Sequence, residues 1–343
     1  MTTILPSAFY GCTGLKELTL PICLDVACKT GSKIWEECEN IEKVTFTTGN
    51  GVGYDYGGLV TFADSHNVSR TPWKISKDSL TTVVFEEGIT HIGSFILYGC
   101  NNITSISIPE TVVSIGASAF EDCILLTSLT LPNSLSEICD NAFEDCNGLK
   151  ELTIPISIDA SQNQGSYIWE DCESIEKVTF IPGNGVGYDY GDAYSGGHNV
   201  SRTAWKISKD SLTTVVFEEG ITHIGSFLLY ECEKITSIVI PNTVTSIGES
   251  AFEDCTSLTD ISLPVSVKDI GRNAFRNCPG YIPNDSSNFY ENDFMGQTGN
   301  ISEETTIGKD DDGSNEVFII VNSILGAILV VTSLYFLSRR DFI

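Results

Sequence analysis

The sequence predicts a leucine-rich-repeat solenoid of about ten strand-bearing coils, each of roughly 23 residues, followed by one C-terminal transmembrane helix. Two observations predict the solenoid: cysteines recur at a regular spacing, and apolar positions recur in step with them. A long uncharged run near the C-terminus predicts the helix. The chain has 343 residues, of which 41% are hydrophobic, so it can bury a continuous core.

Nine cysteines lie 23 or 26 residues apart, except across two gaps of 62 and 60 residues. A period of 23 is typical of repeats in which each unit supplies one short strand and a return path. Because these cysteines fill one slot in successive coils, we predict buried thiols that serve packing, with disulfides between neighbouring coils as the alternative. The nine are Cys12, Cys38, Cys100, Cys123, Cys146, Cys172, Cys232, Cys255 and Cys278.

A Leu-x-x-Leu-x-Leu frame marks the strand of each coil, because its alternation buries one face. In a complete unit the strand ends at Pro109, Ile115 and Gly116 make a bend, and Phe120 points inward. One coil cannot bury both of its sides, so stacking must supply the core. The frames begin at Leu15, Ile41, Leu80, Ile103, Leu126, Leu149, Ile175, Leu212, Ile235 and Leu258.

The repeated string Ile-Pro-x-x-Val-x-x-Ile-Gly-x-x-Ala-Phe-x-x-Cys-x-x-Leu resembles the signature of the BspA-like leucine-rich repeat surface protein family. The resemblance covers residues 1–283 and implies a leucine-rich-repeat solenoid. It also implies a surface protein of a bacterium or protist that adheres to host cells, matrix proteins or other microbes. No particular ligand follows from it.

A larger duplication overlies the repeats, since residues 15–126 resemble residues 149–258 at an offset of 134 that falls to 132. Inserts near residues 47–75 and 181–207 interrupt the rhythm in both copies. Inserts in solenoids usually project as loops from the binding face, so we predict two related ligand patches. Their candidate residues are Tyr54, Asp55, Tyr56, Trp73, Tyr188, Asp189, Tyr190 and Trp205. The alternative is that the tryptophans fold down and cap the loops.

The charge balance excludes one class of partner. The chain carries 46 acidic and 19 basic side chains, a net charge of −27, without the Lys and Arg cluster that nucleic-acid binding needs.

Acidic pairs precede five of the regularly spaced cysteines, and we expect them to form an acidic stripe along one edge. A solvated edge is the simplest role for this stripe. Weak binding of a divalent cation and steering of basic partners are the alternatives.

The sequence predicts no catalytic residue, no metal-ligating motif and no cofactor. His-Glu-x-x-His, Cys-x-x-Cys and Gly-x-Ser-x-Gly are all missing from the sequence. His91 and His223 lie in Thr-His-Ile-Gly turns, where solvated side chains are expected. We therefore expect a binding protein and not an enzyme.

Residues 317–337 carry no charge and span about 31 Å as a helix, which matches a bilayer core. Arg339 and Arg340 follow, so residues 338–343 are expected to be a short cytoplasmic tail and the repeats to lie outside the plasma membrane. Residues 284–316 are predicted to be an acidic stalk. Sequons that could carry glycans occur at Asn67, Asn102, Asn199, Asn284 and Asn300.

These predictions together indicate a single-pass surface protein that mediates adhesion or recognition. Its expected partners are host-cell, matrix or microbial surface proteins or glycans. The alternative is a tail-anchored structural or scaffold protein whose repeats stay in the cytosol, because no charged and apolar leader follows Met1. The sequence leaves open whether a signal peptide and further repeats precede Met1.

Overall fold

The computed structural model describes residues 4–5, 7–24, 34–55, 78–158, 168–190 and 210–282, and the backbone of two strands at 304–309 and 315–320. The chain comprises two compact units, Met1–Asp293 and Phe294–Ile343. The described residues of the first unit form sixteen strands: β1 (Glu17–Pro21), β2 (Lys43–Thr47), β3 (Thr82–Phe85), β4 (His91–Ile92), β5 (Ser105–Ser107), β6 (Ser114–Ile115), β7 (Ser128–Thr130), β8 (Glu137–Ile138), β9 (Glu151–Pro155), β10 (Lys177–Ile181), β11 (Thr214–Phe217), β12 (His223–Ile224), β13 (Ser237–Val239), β14 (Ser246–Ile247), β15 (Asp260–Ser262) and β16 (Asp269–Ile270).

The main sheet is parallel and has eight strands in the order β1-β2-β3-β5-β7-β9-β10-β11. Every predicted frame carries a strand that begins two residues after its first apolar residue. The predicted solenoid is therefore confirmed, as a parallel β-solenoid of about eight turns. The prediction of about ten coils counted two more frames, whose strands β13 and β15 pair with each other in a separate two-stranded sheet.

The inward positions of the main strands supply the core, because the side chains alternate between the two faces of the sheet. In β2, Val44 and Phe46 are buried between β1 and β3. Aromatic rings stack from coil to coil, and Phe143 lies 5.1 Å from Phe120 and 4.8 Å from Trp169, measured between ring centroids. This continuous stack explains why a single coil would not be stable alone.

Two further sides close each coil. The bends that follow the main-sheet strands form two short parallel sheets, β4-β6-β8 and β12-β14-β16. The third side is held by backbone bonds between coils, such as Phe120 N–H to Ala142 at 2.8 Å. On that side, residues directly before the regularly spaced cysteines take left-handed backbone conformations. Examples are Glu37 (φ 67°), Asp122 (62°), Asp145 (58°), Asp171 (59°) and Asp254 (63°).

The regularly spaced cysteines act within this third side. The Cys172 thiol donates a hydrogen bond to the Phe143 carbonyl at 3.1 Å, and Cys146 donates to Phe120 at 3.3 Å. Each thiol thus ties its own coil to the turn of the coil before it. Burial raises the pKa of Cys123 to about 12, so that thiol stays protonated. The described cysteines are all free, and eight of the nine predicted to be buried are buried, Cys12 being exposed.

This arrangement predicts selective alkylation. In the native protein, maleimide should label Cys12, Cys23 and Cys139 among the described cysteines, because the others are buried. The buried thiols should react only after unfolding in about 6 M guanidinium. Peptide mass spectrometry with and without denaturant measures this difference. Rapid native labelling of Cys146 would contradict it.

The second unit contributes β17 (Glu304–Lys309) and β18 (Asn315–Ile320), which pair antiparallel with Val317 opposite Ile307. Strand β17 lies within the predicted acidic stalk, and β18 includes the first four residues of the predicted transmembrane helix. Val317–Ile320 is made of β-branched and aromatic residues, which favour a strand. No helix long and apolar enough to cross a bilayer occurs in the described part of the chain. Residues 321–337 lie outside it, so the membrane anchor stays a prediction.

Candidate functional site

The first residues of each insert stay within the solenoid. After β2 the chain turns back so that Val52 pairs with His91 of β4 in a parallel bridge. The Gly53 N–H donates to the His91 carbonyl at 2.8 Å, and the Thr90 hydroxyl donates to the Gly51 carbonyl at 2.9 Å. The second copy repeats this arrangement with a bridge between Val186 and His223. Each insert therefore begins as one more rung of a short sheet.

Glycines make this close contact possible. A Cβ on Gly53 would lie 2.4 Å from the Gly93 nitrogen, and a Cβ on Gly93 would lie 2.1 Å from the Tyr54 carbonyl oxygen. In the second copy, a Cβ on Gly225 would meet the Tyr188 carbonyl oxygen. The glycines of the insert motif are thus required because two backbones touch.

A cluster of four polar side chains holds each insert in place. In the first copy the Asp55 carboxylate accepts from the Ser94 N–H at 2.8 Å and from its hydroxyl at 2.9 Å. His91 Nε2 lies 3.5 Å from the same carboxylate oxygen, and His91 Nδ1 lies 2.8 Å from the Ser114 hydroxyl. We call this set, and its counterpart in the second copy, the carboxylate-histidine clusters. The counterpart consists of Asp189, His223, Ser226 and Ser246.

The clusters favour ionised carboxylates. Burial acts to raise the pKa of Asp55, but the hydrogen bonds from Ser94 and His91 outweigh it and lower the pKa. The hydrogen bond from His223 lowers the pKa of Asp189 to about 2 against the effect of burial, with help from Ser226. A lowered carboxylate pKa contributes stability above the unfolded value of 3.8, and this stability is lost as the pH falls towards 2. Each insert therefore keeps its anchor at neutral and mildly acidic pH.

The clusters contain the residue types of a hydrolytic triad, but the geometry favours anchoring. Ser114 lies within strand β6, and its N–H already donates to the Thr90 carbonyl at 3.4 Å. That N–H cannot also stabilise an oxyanion. In the ranges that the structure describes, no three His, Cys, Asp or Glu side chains converge as metal ligands would.

The predicted ligand residues fall into three environments. Asp55 and Asp189 are exposed, with 57% and 59% of their side chains accessible. Tyr54 and Tyr188 are half-buried against the core. Tyr190 is 3% exposed and its hydroxyl donates to the Ile158 carbonyl at 3.1 Å, so it is part of the core and not of the surface. The remaining candidates, Tyr56, Trp73 and Trp205, lie outside the described residues.

The BspA type leucine-rich repeat region matches the chain in six copies, over residues 1–64, 75–187 and 203–298. The chain belongs to this family. None of the curated proteins matches it.

Three solved structures that are similar to this BspA-type chain come from bacteria. A leucine-rich repeat protein from Bacteroides ovatus is 18% identical, with 82% of this chain and 81% of that chain covered and a TM-score of 0.39. A leucine-rich cell surface protein from Faecalibacterium prausnitzii is 16% identical, with 82% of each chain covered and a TM-score of 0.26. The pneumococcal vaccine antigen PcpA is 15% identical, with 82% and 73% covered and a TM-score of 0.29.

The role of the two histidines in this BspA-type chain is not the one predicted for them. We expected solvated turns, and the structure places both rings beside an insert carboxylate. A signal exists in the sequence, because the position before the isoleucine of the bend is Ser114, Glu137, Ser246 or Asp269 in other coils. Among the ten frames it is histidine in the two coils that follow an insert.

Only one predicted glycosylation residue lies in the described ranges. The Asn102 side-chain amide donates to the Asp78 carbonyl, so the nitrogen that would carry a glycan already has a partner. Ile103 in the same sequon is buried. Asn67, Asn199, Asn284 and Asn300 lie outside the described residues, and glycosylation stays a prediction.

The acidic edge of the BspA-type chain is not the fully solvated stripe that the sequence predicted. Glu121 and Glu253 are each 3% exposed. Burial raises the pKa of Glu121 to about 7, with Asp122 and Asp145 adding to the effect and a hydrogen bond from Ser118 opposing it. Glu253 instead accepts from Arg276 at 3.0 Å. The two copies have therefore diverged at this edge.

This difference predicts opposite effects of one substitution. A carboxyl whose folded pKa of about 7 exceeds the unfolded value of 4.5 loses its contribution to stability as the pH rises from about 5 to 8. Glu121→Gln should therefore raise the urea midpoint at about pH 8 and flatten its pH dependence. Glu253→Gln, the matched control, should lower that midpoint because it leaves Arg276 without its carboxylate. Equal shifts in both variants would contradict the assignment.

Proposed function

We propose that this BspA-type protein is a cell-surface adhesion or recognition protein, with its repeats outside the plasma membrane and an anchor at residues 317–337. One observation carries the proposal: the two carboxylate-histidine clusters hold two near-identical inserts in the same way. Strands β2 and β10 are five strand steps apart, which separates the inserts by about 24 Å along the solenoid. A protein that presents the same surface twice at a fixed spacing is suited to recognition.

The described part of each presented surface combines an apolar and an acidic side chain. Val52 and Val186 are 48% and 51% exposed, and Asp55 and Asp189 lie three residues further along. Such a surface suits binding to the proteins or glycans of host cells, matrix or other microbes. The valine would make apolar contact, and the aspartate would accept hydrogen bonds from donors on the partner. Two equal patches give a partner with repeated units a gain in avidity that one patch cannot give.

Binding of the full-length chain to arrayed matrix proteins and glycans tests this proposal. Val52→Glu and Val186→Glu should each weaken binding moderately, and the double variant should weaken it by about 100-fold because avidity is lost. The matched control is Val265→Glu, at a valine that lies outside both inserts and is 91% exposed. This variant should bind like the wild type. Equal binding by the double variant and the wild type would overturn the role of the inserts.

A second candidate function is supported by the free thiols. The described cysteines form no disulfide, as expected in a cytosolic compartment, which favours a tail-anchored scaffold with cytosolic repeats. Protease treatment of intact cells that carry an epitope tag near Met1 distinguishes the two. Loss of the tag supports surface exposure, whereas full protection supports the scaffold.

A further inference from the structure

The outward face of the main sheet carries almost no net charge, in contrast to the rest of the chain. Strands β3, β5, β7 and β11 present only hydroxyl and valine side chains at their outward positions. These are Thr82, Val84, Ser105, Ser107, Ser128, Thr130, Thr214 and Val216, all exposed. A chain with a net charge of −27 repels its own copies, so a neutral face is where two copies can approach.

The charged residues of this face form two sets of four, which we call the charge quartets. The first consists of Lys16 and Glu17 at β1 and Glu42 and Lys43 at β2, and the second of Lys150 and Glu151 at β9 and Glu176 and Lys177 at β10. Within each quartet the signs alternate between neighbouring strands. The Lys16–Glu42 and Lys150–Glu176 pairs are 2.7 and 2.8 Å long. All eight side chains are 41% to 73% exposed, so they can also face a partner.

The strand order makes the two quartets complementary to each other. A two-fold axis that lies along β5 in the plane of the face places β1 on the partner's β10 and β2 on the partner's β9. Lys16 then faces the partner's Glu176, and Lys43 faces the partner's Glu151. All eight charges of one copy oppose the opposite sign. Hydroxyl-bearing strands lie between them, and Ser105 and Ser107 lie at the axis.

The pattern also fixes the register. If the partner slips by one strand in one direction, Lys16 faces the partner's Lys150. If it slips in the other direction, Glu42 faces the partner's Glu176. Like charges in direct opposition cost free energy and exclude both alternatives.

We propose that the chain forms a two-fold symmetric dimer through the outward face of the main sheet, with each charge quartet paired to the other quartet of a second copy. The same patch serves both subunits, as an isologous interface requires. Val52 and Val186 of the inserts pair with β4 and β12 and not with the main sheet, so they and the acidic edge remain available for other partners.

Charge inversion tests this dimer with a built-in control for folding. Lys16→Glu, Glu17→Lys, Glu42→Lys and Lys43→Glu together invert the first quartet but preserve the pairs within it. This variant should dissociate at least tenfold more readily than the wild type, because every pair between subunits becomes repulsive. Inverting both quartets restores all pairs and should restore the dimer. Sedimentation equilibrium of the full-length chain in a density-matched neutral detergent measures all three.

The outcomes decide the proposal. A wild type that remains monomeric at about 100 µM overturns it. So does a single inversion that leaves the dimer intact, or a double inversion that fails to restore it. As an independent measurement, Ser105→Cys at the axis should give a disulfide-linked dimer above the wild-type level under mild oxidation. Thr214→Cys on β11, outside the overlap, should not, and equal cross-linking of both would contradict the register.

Discussion

Replacing Phe143 with alanine is expected to lower the free energy of unfolding by about 4 kcal/mol, the largest loss we predict for a single side chain. Phe143 is completely buried and stacks on both Phe120 and Trp169. The substitution removes a large apolar surface and leaves a cavity between rigid coils, which cannot collapse because their backbones are hydrogen-bonded to each other.

Urea denaturation measures this loss in the free energy of unfolding, and two further variants serve as controls. Phe143→Leu keeps most of the volume and should cost about 1 to 1.5 kcal/mol. Val265→Ala, at a side chain that is 91% exposed, should change stability by less than about 0.5 kcal/mol. Hydrogen exchange should rise most in the coils next to Phe143, because each coil contacts only its neighbours. A loss below about 1 kcal/mol for the alanine variant would show that the aromatic stack is not a main source of stability.

Replacing Gly93 with alanine is expected to destabilise the protein by about 3 kcal/mol and to release the first insert. The new Cβ would lie 2.1 Å from the Tyr54 carbonyl oxygen, a backbone atom that cannot rotate away. The insert backbone must move, and the movement breaks the hydrogen bond from Gly53 to His91 and the approach of Asp55 to His91. Gly225→Ala should do the same in the second copy, and the two effects should add.

The matched control is Gly14→Ala, because nothing lies within 4 Å of the position that its Cβ would take. That substitution should be close to neutral. Faster hydrogen exchange at the Gly53 and Tyr54 amides in Gly93→Ala, with little change at the Gly187 and Tyr188 amides, would locate the damage. Equal stability of the Gly93 and Gly14 variants would contradict the close backbone contact.

The sequence predicts the main sheet well because burial at every second position forces a repeating pattern on it. Val44, Val83 and Leu129 are buried at equivalent positions, and each belongs to a frame that periodicity alone reveals. The slot for the cysteines is equally visible, since its geometry recurs in each coil. The residues with left-handed backbone conformations are also visible in the sequence, as acidic residues or Asn directly before the cysteines. From the sequence, however, the acidic ones indicated an acidic stripe and not a backbone conformation.

The candidate site is less predictable because it depends on contacts across long stretches of sequence. Asp55 and His91 are separated by 36 residues, and no local pattern links a carboxylate in a glycine-rich segment to a ring in a later bend. Tyr190 cannot be told apart from the half-buried Tyr188 in the sequence, but it is buried and its hydroxyl donates to the carbonyl of Ile158. Hydropathy predicts a helix from Val317, yet its first four residues pair in a strand, since an apolar β-branched run suits either structure.

The stacking of coils that contact only their neighbours also determines how the molecule responds to tension. A force applied along the stack would peel the coils one at a time, because each is held by its own ladder and not by the whole fold. A coil of 23 residues gains about 75 Å when extended, against the roughly 5 Å that it occupies in the stack. Under load the protein would therefore lengthen in large steps, one for each coil that is released.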